Sequence, residues 1–146
     1  MGISLPAAIA AKLVYPDRKV VVLTGDGGFA MNSQDIETAV RLALDLIIVV
    51  FNDKSLGMIA MKQKADGYEN YGVAFDNPDF VGFAQSYGAN GHRLEDPAQF
   101  RRILDQVAKT GGVHIIDAPV DPGANMALMQ EMRSVNCGQL LASRES

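Results

Sequence analysis

An open parallel α/β sheet with helices on both faces is the fold class this sequence predicts, and three observations predict it. Two short apolar runs, Val20-Val21-Val22-Leu23 and Leu46-Ile47-Ile48-Val49-Val50-Phe51, have the length and β-branched content of strands buried on both faces. Between them Ile36, Ala39, Val40, Ala43 and Leu44 recur at helical spacing, which makes a strand, helix, strand unit with a right-handed crossover. Each run ends in a loop bearing an acid: Gly25-Asp26-Gly27-Gly28 after the first, Asn52-Asp53 after the second.

The remaining elements follow in order. Pro6 sits where a first-turn proline is tolerated, and the alanine-rich stretch up to Val14 has high helix propensity before Pro16-Asp17 ends it. Its small side chains imply close packing. Asn32 is a competent N-cap for the crossover helix, with Asp35 three residues on. Residues 54–64 read as a loop and a helix, and residues 65–78, rich in Gly, Asn and Tyr, as a surface loop. Asn77-Pro78-Asp79 opens a helix through Phe80, Val81, Phe83 and Ala84 that Gly88 stops, and Gly91-His92-Arg93-Leu94 is a short strand. Asp96-Pro97 begins an amphipathic helix with Phe100, Ile103, Leu104, Val107 and Ala108 inward; Gly111-Gly112 ends it before a strand at 113–116. After Pro119 the alternation breaks. Residues 1–121 are therefore read as one domain and 122–146 as a methionine-rich tail.

Size and charge bound the function. The chain has 146 residues, 48% hydrophobic, enough for one domain with a core and too few for two. Thirteen basic against 17 acidic residues give a net charge of −4, with no basic run longer than the pair Arg101-Arg102, so nucleic acid is not an expected partner. The longest apolar run is too short to span a bilayer and no basic-then-apolar leader opens the sequence, so a cytoplasmic location with no membrane contact is expected. The single Cys137 leaves no internal disulfide and no cysteine-built zinc site.

The two acids carry the chemistry. Parallel strands deliver Asp26 and Asp53 to one sheet edge, the usual ligand crevice of this architecture. Mg²⁺ is commonly bound by one or two carboxylates plus phosphate oxygens, and glycines beside Asp26 let a phosphate approach the backbone. A competing reading exists. Gly25-Asp26-Gly27-Gly28-Phe29-Ala30 also satisfies the looser dinucleotide fingerprint, with Asp53 as the ribose ligand. Against it, Asp53 lies 28 residues beyond Gly25 where about 20 is usual, and an acid in the turn repels a pyrophosphate unless a cation intervenes.

Gly25-Asp26-Gly27, then 24 residues, then Asn52-Asp53 closely resembles the thiamine diphosphate motif. Met1-Gly2 with Leu5-Pro6-Ala7-Ala8-Ile9, Leu56-Gly57-Met58-Ile59, Asn77-Pro78-Asp79-Phe80, Ser86-Tyr87-Gly88-Ala89 and Ile115-Ile116-Asp117-Ala118-Pro119-Val120-Asp121 resemble the acetolactate synthases, nearest their catabolic, flavin-independent branch. The resemblance implies the C-terminal, diphosphate-binding domain of an enzyme that decarboxylates pyruvate and joins it to a second 2-keto acid, for branched-chain amino acid or acetoin synthesis. It implies Mg²⁺ held by Asp26, Asp53 and the Ser55 carbonyl, with Asn52 behind them. It further implies Gly25, Gly27, Gly28, Phe29, Leu56, Gly57 and Met58 near the cofactor, and Met1 supporting its bend. Lys62 stands where biosynthetic members carry a tryptophan, so preference for a longer acceptor is not supported.

The same resemblance places the activating glutamate on a partner pyrimidine-binding domain, on the same or a neighbouring subunit of a homo-oligomer. No catalytic residue is therefore expected among these 146, and Glu37 is read as a solvated or helix-dipole charge. Alternatives are a 2-keto acid decarboxylase or other carboligase of the superfamily, or a standalone non-catalytic half-site. The domain's first strand and helix are expected to be missing, which would expose apolar surface and favour association. His92 and His114 are read as structural histidines, and Met126, Met129 and Met132 as one packing face of a helix.

Overall fold

The structure is a computed structural model that describes residues 1–124. The tail expectations for Met126, Met129, Met132 and Cys137 fall outside those residues, as does most of the segment beyond 121.

Helix α1 (Ser4–Val14) begins almost at once, with Pro6 in its first turn. Leu5, Ala8, Ile9 and Lys12 form its buried stripe. Lys12 was not foreseen there. Its ammonium donates to the Pro16 carbonyl at 2.7 Å and the Arg18 carbonyl at 2.9 Å, so the turn into the sheet is tied by two charge-assisted bonds.

Strands β1 (Val20–Gly25), β2 (Leu46–Asn52), β3 (Asn90–Arg93) and β4 (Val113–Pro119) make one all-parallel sheet in the order β1-β2-β4-β3. Register sets Val22 beside Ile48, Ile48 beside Ile115, and His92 beside Ile116. On one face Val22, Ile48, Val50 and Ile115 meet α1, the crossover and the helix after residue 79. On the other, Ile47, Val49, Ile116 and Ala118 meet the last helix, so both faces carry helices as expected.

Strand β1 departs from expectation. It was read as buried on both faces, yet Val21 is 47% and Leu23 61% exposed. Alternation along a strand sends these two opposite to Val22, and β1 lies at the sheet edge, where among the described residues α1 covers one side alone.

The crossover is also built differently. Instead of one helix capped by Asn32, it contains α2 (Asp26–Ala30), a 3-10 turn at Ser33–Asp35 and α3 (Ile36–Arg41). The Asn32 side chain makes no cap; it donates to the Gly2 carbonyl at 2.7 Å. Ala43, expected within the helix, has φ +48 and closes it: its N–H donates to Val40 and that of Leu44 to Ala39, the paired bonds of a Schellman end.

Helix α4 (Gly57–Ala65) and the loop to residue 79 follow, with Ser55 bridged to Ala74. Helix α5 (Phe80–Ser86) is capped by the Asp79 carboxylate, which accepts from Val81 and Gly82, and Gly88 at φ +78 ends it. Strand β3 runs one residue earlier than expected. Asp96 accepts from the Ala98 N–H at 2.8 Å, and a 3-10 turn at Pro97–Gln99 leads into α6 (Phe100–Val107). Phe29 packs edge-on to Phe80, 5.6 Å between ring centres, joining α2 to α5.

Candidate cofactor and metal site

Because Gly25 pairs with Phe51, the chain ends of β1 and β2 lie side by side; Asp26 directly follows β1, and Asp53 directly follows Asn52, the last residue of β2. Asp26 is the first residue of α2 and is 2% exposed. Its Oδ1 accepts from the Gly27 N–H at 2.7 Å; its Oδ2 accepts from the Lys54 N–H at 2.8 Å and the Asn77 amide at 2.6 Å. Asp53 has one such bond, from the Ser55 N–H to Oδ1 at 3.1 Å. Its carboxyl is pushed above the ordinary range, first by burial and then by the charge of Asp26. Among the described residues neither carboxylate has an ion-pair partner.

The backbone between them is strained. Lys54 has φ +54, which aims its N–H back at Asp26 while its carbonyl accepts from Phe75 and the Leu56 N–H donates to Val73. The Ser55 carbonyl stays outside that ladder. Gly57 begins α4 against Asp53: a Cβ there would sit 2.5 Å from Asp53 Oδ2. At Gly27 a Cβ would meet Leu56 at 2.7 Å, whereas Gly25 has nothing within 4 Å and borders open space.

An open cavity of about 740 Å³ lies over this edge. Gly25, Asp26, Gly27, Gly28, Asp53, Ser55, Leu56, Gly57, Met58 and Met1 all line it, with Leu23, Phe51 and Val120 as apolar wall. Phe29 does not; its ring is buried against Phe80 and Phe83. The donor set suits a hard divalent cation. Two carboxylates that repel each other, one held rigid and one adjustable, together with a spare carbonyl, are oxygen ligands of the kind Mg²⁺ takes. The dinucleotide reading fares worse, because the Gly27 N–H at the start of α2 is already taken by Asp26.

Other expectations find their places. Glu37 forms an exposed pair with Arg41 at 2.8 Å, one turn along α3. Lys62 pairs with Asp66 at 3.1 Å on the surface. His92 and His114 bond to each other at 3.0 Å under α6, and the Gly111 carbonyl, which can only accept, assigns the His114 proton to Nε2. Two residues are not assigned to the site by their local sequence: Asn77, which there only opens a helix, and Asp117, which is 1% exposed and bonded to Asn52 and Arg93. An acid inside the apolar run of β4 was the available signal for the latter.

The chain resembles known proteins along nearly its whole length. Residues 1–118 match the family described as "Thiamine pyrophosphate enzyme, C-terminal TPP binding domain". An acetolactate synthase of Bacillus subtilis (strain 168) is 39% identical over 99% of this chain and 25% of its own length. The catabolic acetolactate synthase of Raoultella terrigena is 36% identical over 90% of this chain and 24% of its own. A putative thiamine pyrophosphate-containing protein of Bacillus subtilis (strain 168), YdaP, is 44% identical over 82% and 21%. The chain thus spans about a quarter of the length of these relatives. With the match covering most of its residues, the chain belongs to the thiamine pyrophosphate enzymes, as their C-terminal TPP-binding domain.

Proposed function

We propose that this domain holds the diphosphate of thiamine diphosphate through Mg²⁺, as the diphosphate-binding part of an acetolactate-synthase-like enzyme acting on pyruvate and a second 2-keto acid. One observation carries the reading: Asp26 and Asp53 arrive from adjacent parallel strands at one cavity, where burial and then the Asp26 charge raise the Asp53 carboxyl, and neither has an ion-pair partner among the described residues. In this reading Asp26, Asp53 and the Ser55 carbonyl are the metal ligands. Gly25, Gly27 and Gly28 leave room for phosphate oxygens, and Leu56, Gly57, Met58 and Met1 border the organic part of the cofactor. Phe29 acts from behind, by fixing α2 on α5.

When bound, the cofactor supplies the electron sink for decarboxylating a 2-keto acid. The chain's own residues do the anchoring. Asp26, already bonded to three donors, presents a preset charge. Asp53, held by a single hydrogen bond from the Ser55 N–H, would supply the second carboxylate from the α4 side. Leu23, Phe51 and Val120 form an apolar wall for the organic part of the cofactor. A pyrimidine-binding domain of the same or a neighbouring subunit completes the site, in a cytoplasmic homo-oligomer. No described helix is long and apolar enough to cross a membrane.

A second reading is another carboligase or decarboxylase of the superfamily, since the family match covers the cofactor-binding domain and not the substrate pocket. Two measurements test these readings. Calorimetric titration with thiamine diphosphate, with and without Mg²⁺, is expected to show Mg²⁺-dependent binding that Asp26→Ala abolishes; Mg²⁺-independent binding unaffected by that substitution would reject the site. Product analysis of the full-length protein fed pyruvate separates the two enzymes: acetolactate supports the first, free aldehyde the second.

A further inference from the structure

Asp26 stands at the end of a hydrogen-bonded chain that crosses the whole sheet edge. Arg93 of β3 donates from Nη1 to Asp117 Oδ2 of β4 at 2.7 Å. Asn52 of β2 donates from Nδ2 to Asp117 Oδ1 at 2.9 Å. Asn77, in the loop before α5, donates from its one amide nitrogen to Asn52 Oδ1 at 2.9 Å and to Asp26 Oδ2 at 2.6 Å. The Asp117 and Asp26 carboxylates, which only accept, flank the two amides, so neither amide can be turned over without setting acceptor against acceptor. Both Asn77 N–H groups are thereby spent.

The consequence falls on Asp26. Its Oδ2 accepts two donors, Asn77 and the Lys54 N–H, and has no lone pair to spare. Its Oδ1 accepts one, from Gly27, and has one left. We infer that Asn77 is a positioning residue for the metal site: by saturating Oδ2 it makes Oδ1 the atom that ligates the cation, and through Asn52 and Asp117 it locks that carboxylate to the far side of the sheet. The inference rests on the metal-site reading proposed above. A neutral donor suits the task, since a lysine or arginine at 77 would pair with Asp26 and compete with the cation. Groups that orient metal ligands typically change affinity by roughly 10–100-fold when removed.

Ion selectivity separates positioning from mere structural support. Mg²⁺ requires a near-ideal octahedron, while Ca²⁺ tolerates irregular ligand sets. In the full-length protein at saturating thiamine diphosphate, Mn²⁺ binding followed by electron paramagnetic resonance, with Mg²⁺ and Ca²⁺ as competitors, gives all three affinities. Asn77→Ala is expected to weaken Mg²⁺ by roughly 10–100-fold and Ca²⁺ by clearly less, lowering the Mg²⁺ to Ca²⁺ ratio. Should the alanine variant fail to fold by circular dichroism, Asn77→Ser, which keeps a donor of shorter reach, is expected to fold and to lower the same ratio by about threefold or more. Unchanged affinities, or equal losses for both ions, in either folded variant would overturn the assignment. An Asp26→Ala control that still bound Mn²⁺ at wild-type strength would instead reject the underlying metal site.

Discussion

The two edges of the sheet treat charge in opposite ways. At the amino ends of the strands three charged groups are held by backbone partners: Lys12 by the Pro16 and Arg18 carbonyls, Lys19 by the Ala108 carbonyl, and Asp45 by the Gly112 N–H. At the carboxyl ends Asp26 and Asp53 face one another, and the second carboxyl is raised, first by burial and then by the first. Burial of like charges without a counter-charge is costly. The contrast lies in the like charges: none of the three groups held at the amino edge faces a like charge in these bonds, while Asp26 and Asp53 are set against each other where a cationic ligand would supply what is missing.

The largest effect expected of any change bears on that opposition. Asp26→Ala should weaken Mg²⁺-dependent cofactor binding by more than the roughly 100-fold at the upper end for an outer-shell partner, read by calorimetry. Next, Gly57→Ala drives a Cβ to 2.5 Å from Asp53 Oδ2. It should displace that carboxylate and cost on the order of tenfold in Mg²⁺ affinity, leaving the Asp26 hydrogen bonds intact in side-chain NMR.

Lys12→Met probes the other edge. It strands two carbonyls and should lower stability by about 1–3 kcal/mol in thermal denaturation while leaving Mg²⁺ affinity unchanged. Loss of metal binding there would break the division between the edges. Lys54→Gly removes the side chain from a left-handed backbone and should raise stability by about 1 kcal/mol.

The smallest effect concerns the His pair under α6. Burial, and then the neighbouring His114, hold the His92 imidazole below its ordinary value of 6.5. The unfolded chain therefore takes up this proton first as pH falls. The contribution of neutral His92 is complete above about 6.5 and is lost as pH drops from there through the lowered folded value. Denaturation across that window should flatten in His92→Gln, with no parallel change in metal affinity near neutrality.

Much of this was legible in the sequence because it rests on local chemistry. The runs at 20–23 and 46–51 became adjacent parallel strands, Asp79 and Asp96 became caps, and Gly88 ended α5. Even the helix at the start of the chain needed only alanine propensity and a well-placed proline. What escaped was nonlocal or conformationally expensive. Nothing in local composition says that Ala43 adopts φ +48 where glycine is the usual choice, or that Lys54 adopts +54. The link from Asn77 to Asp26 spans 51 positions in sequence and exists only once the loop before α5 folds back over the strand ends. Asn32 is instructive too: its residue type suits a cap, but a backbone carbonyl 30 positions away takes its amide.

The exposed side of β1 carries one more consequence. Among the described residues this strand pairs with β2 alone, so its other edge offers a row of backbone donors and acceptors beside the uncovered Val21 and Leu23. Such an edge is a template for strand addition: an extended segment laid along it gains main-chain hydrogen bonds from the edge and side-chain contact from the two apolar residues.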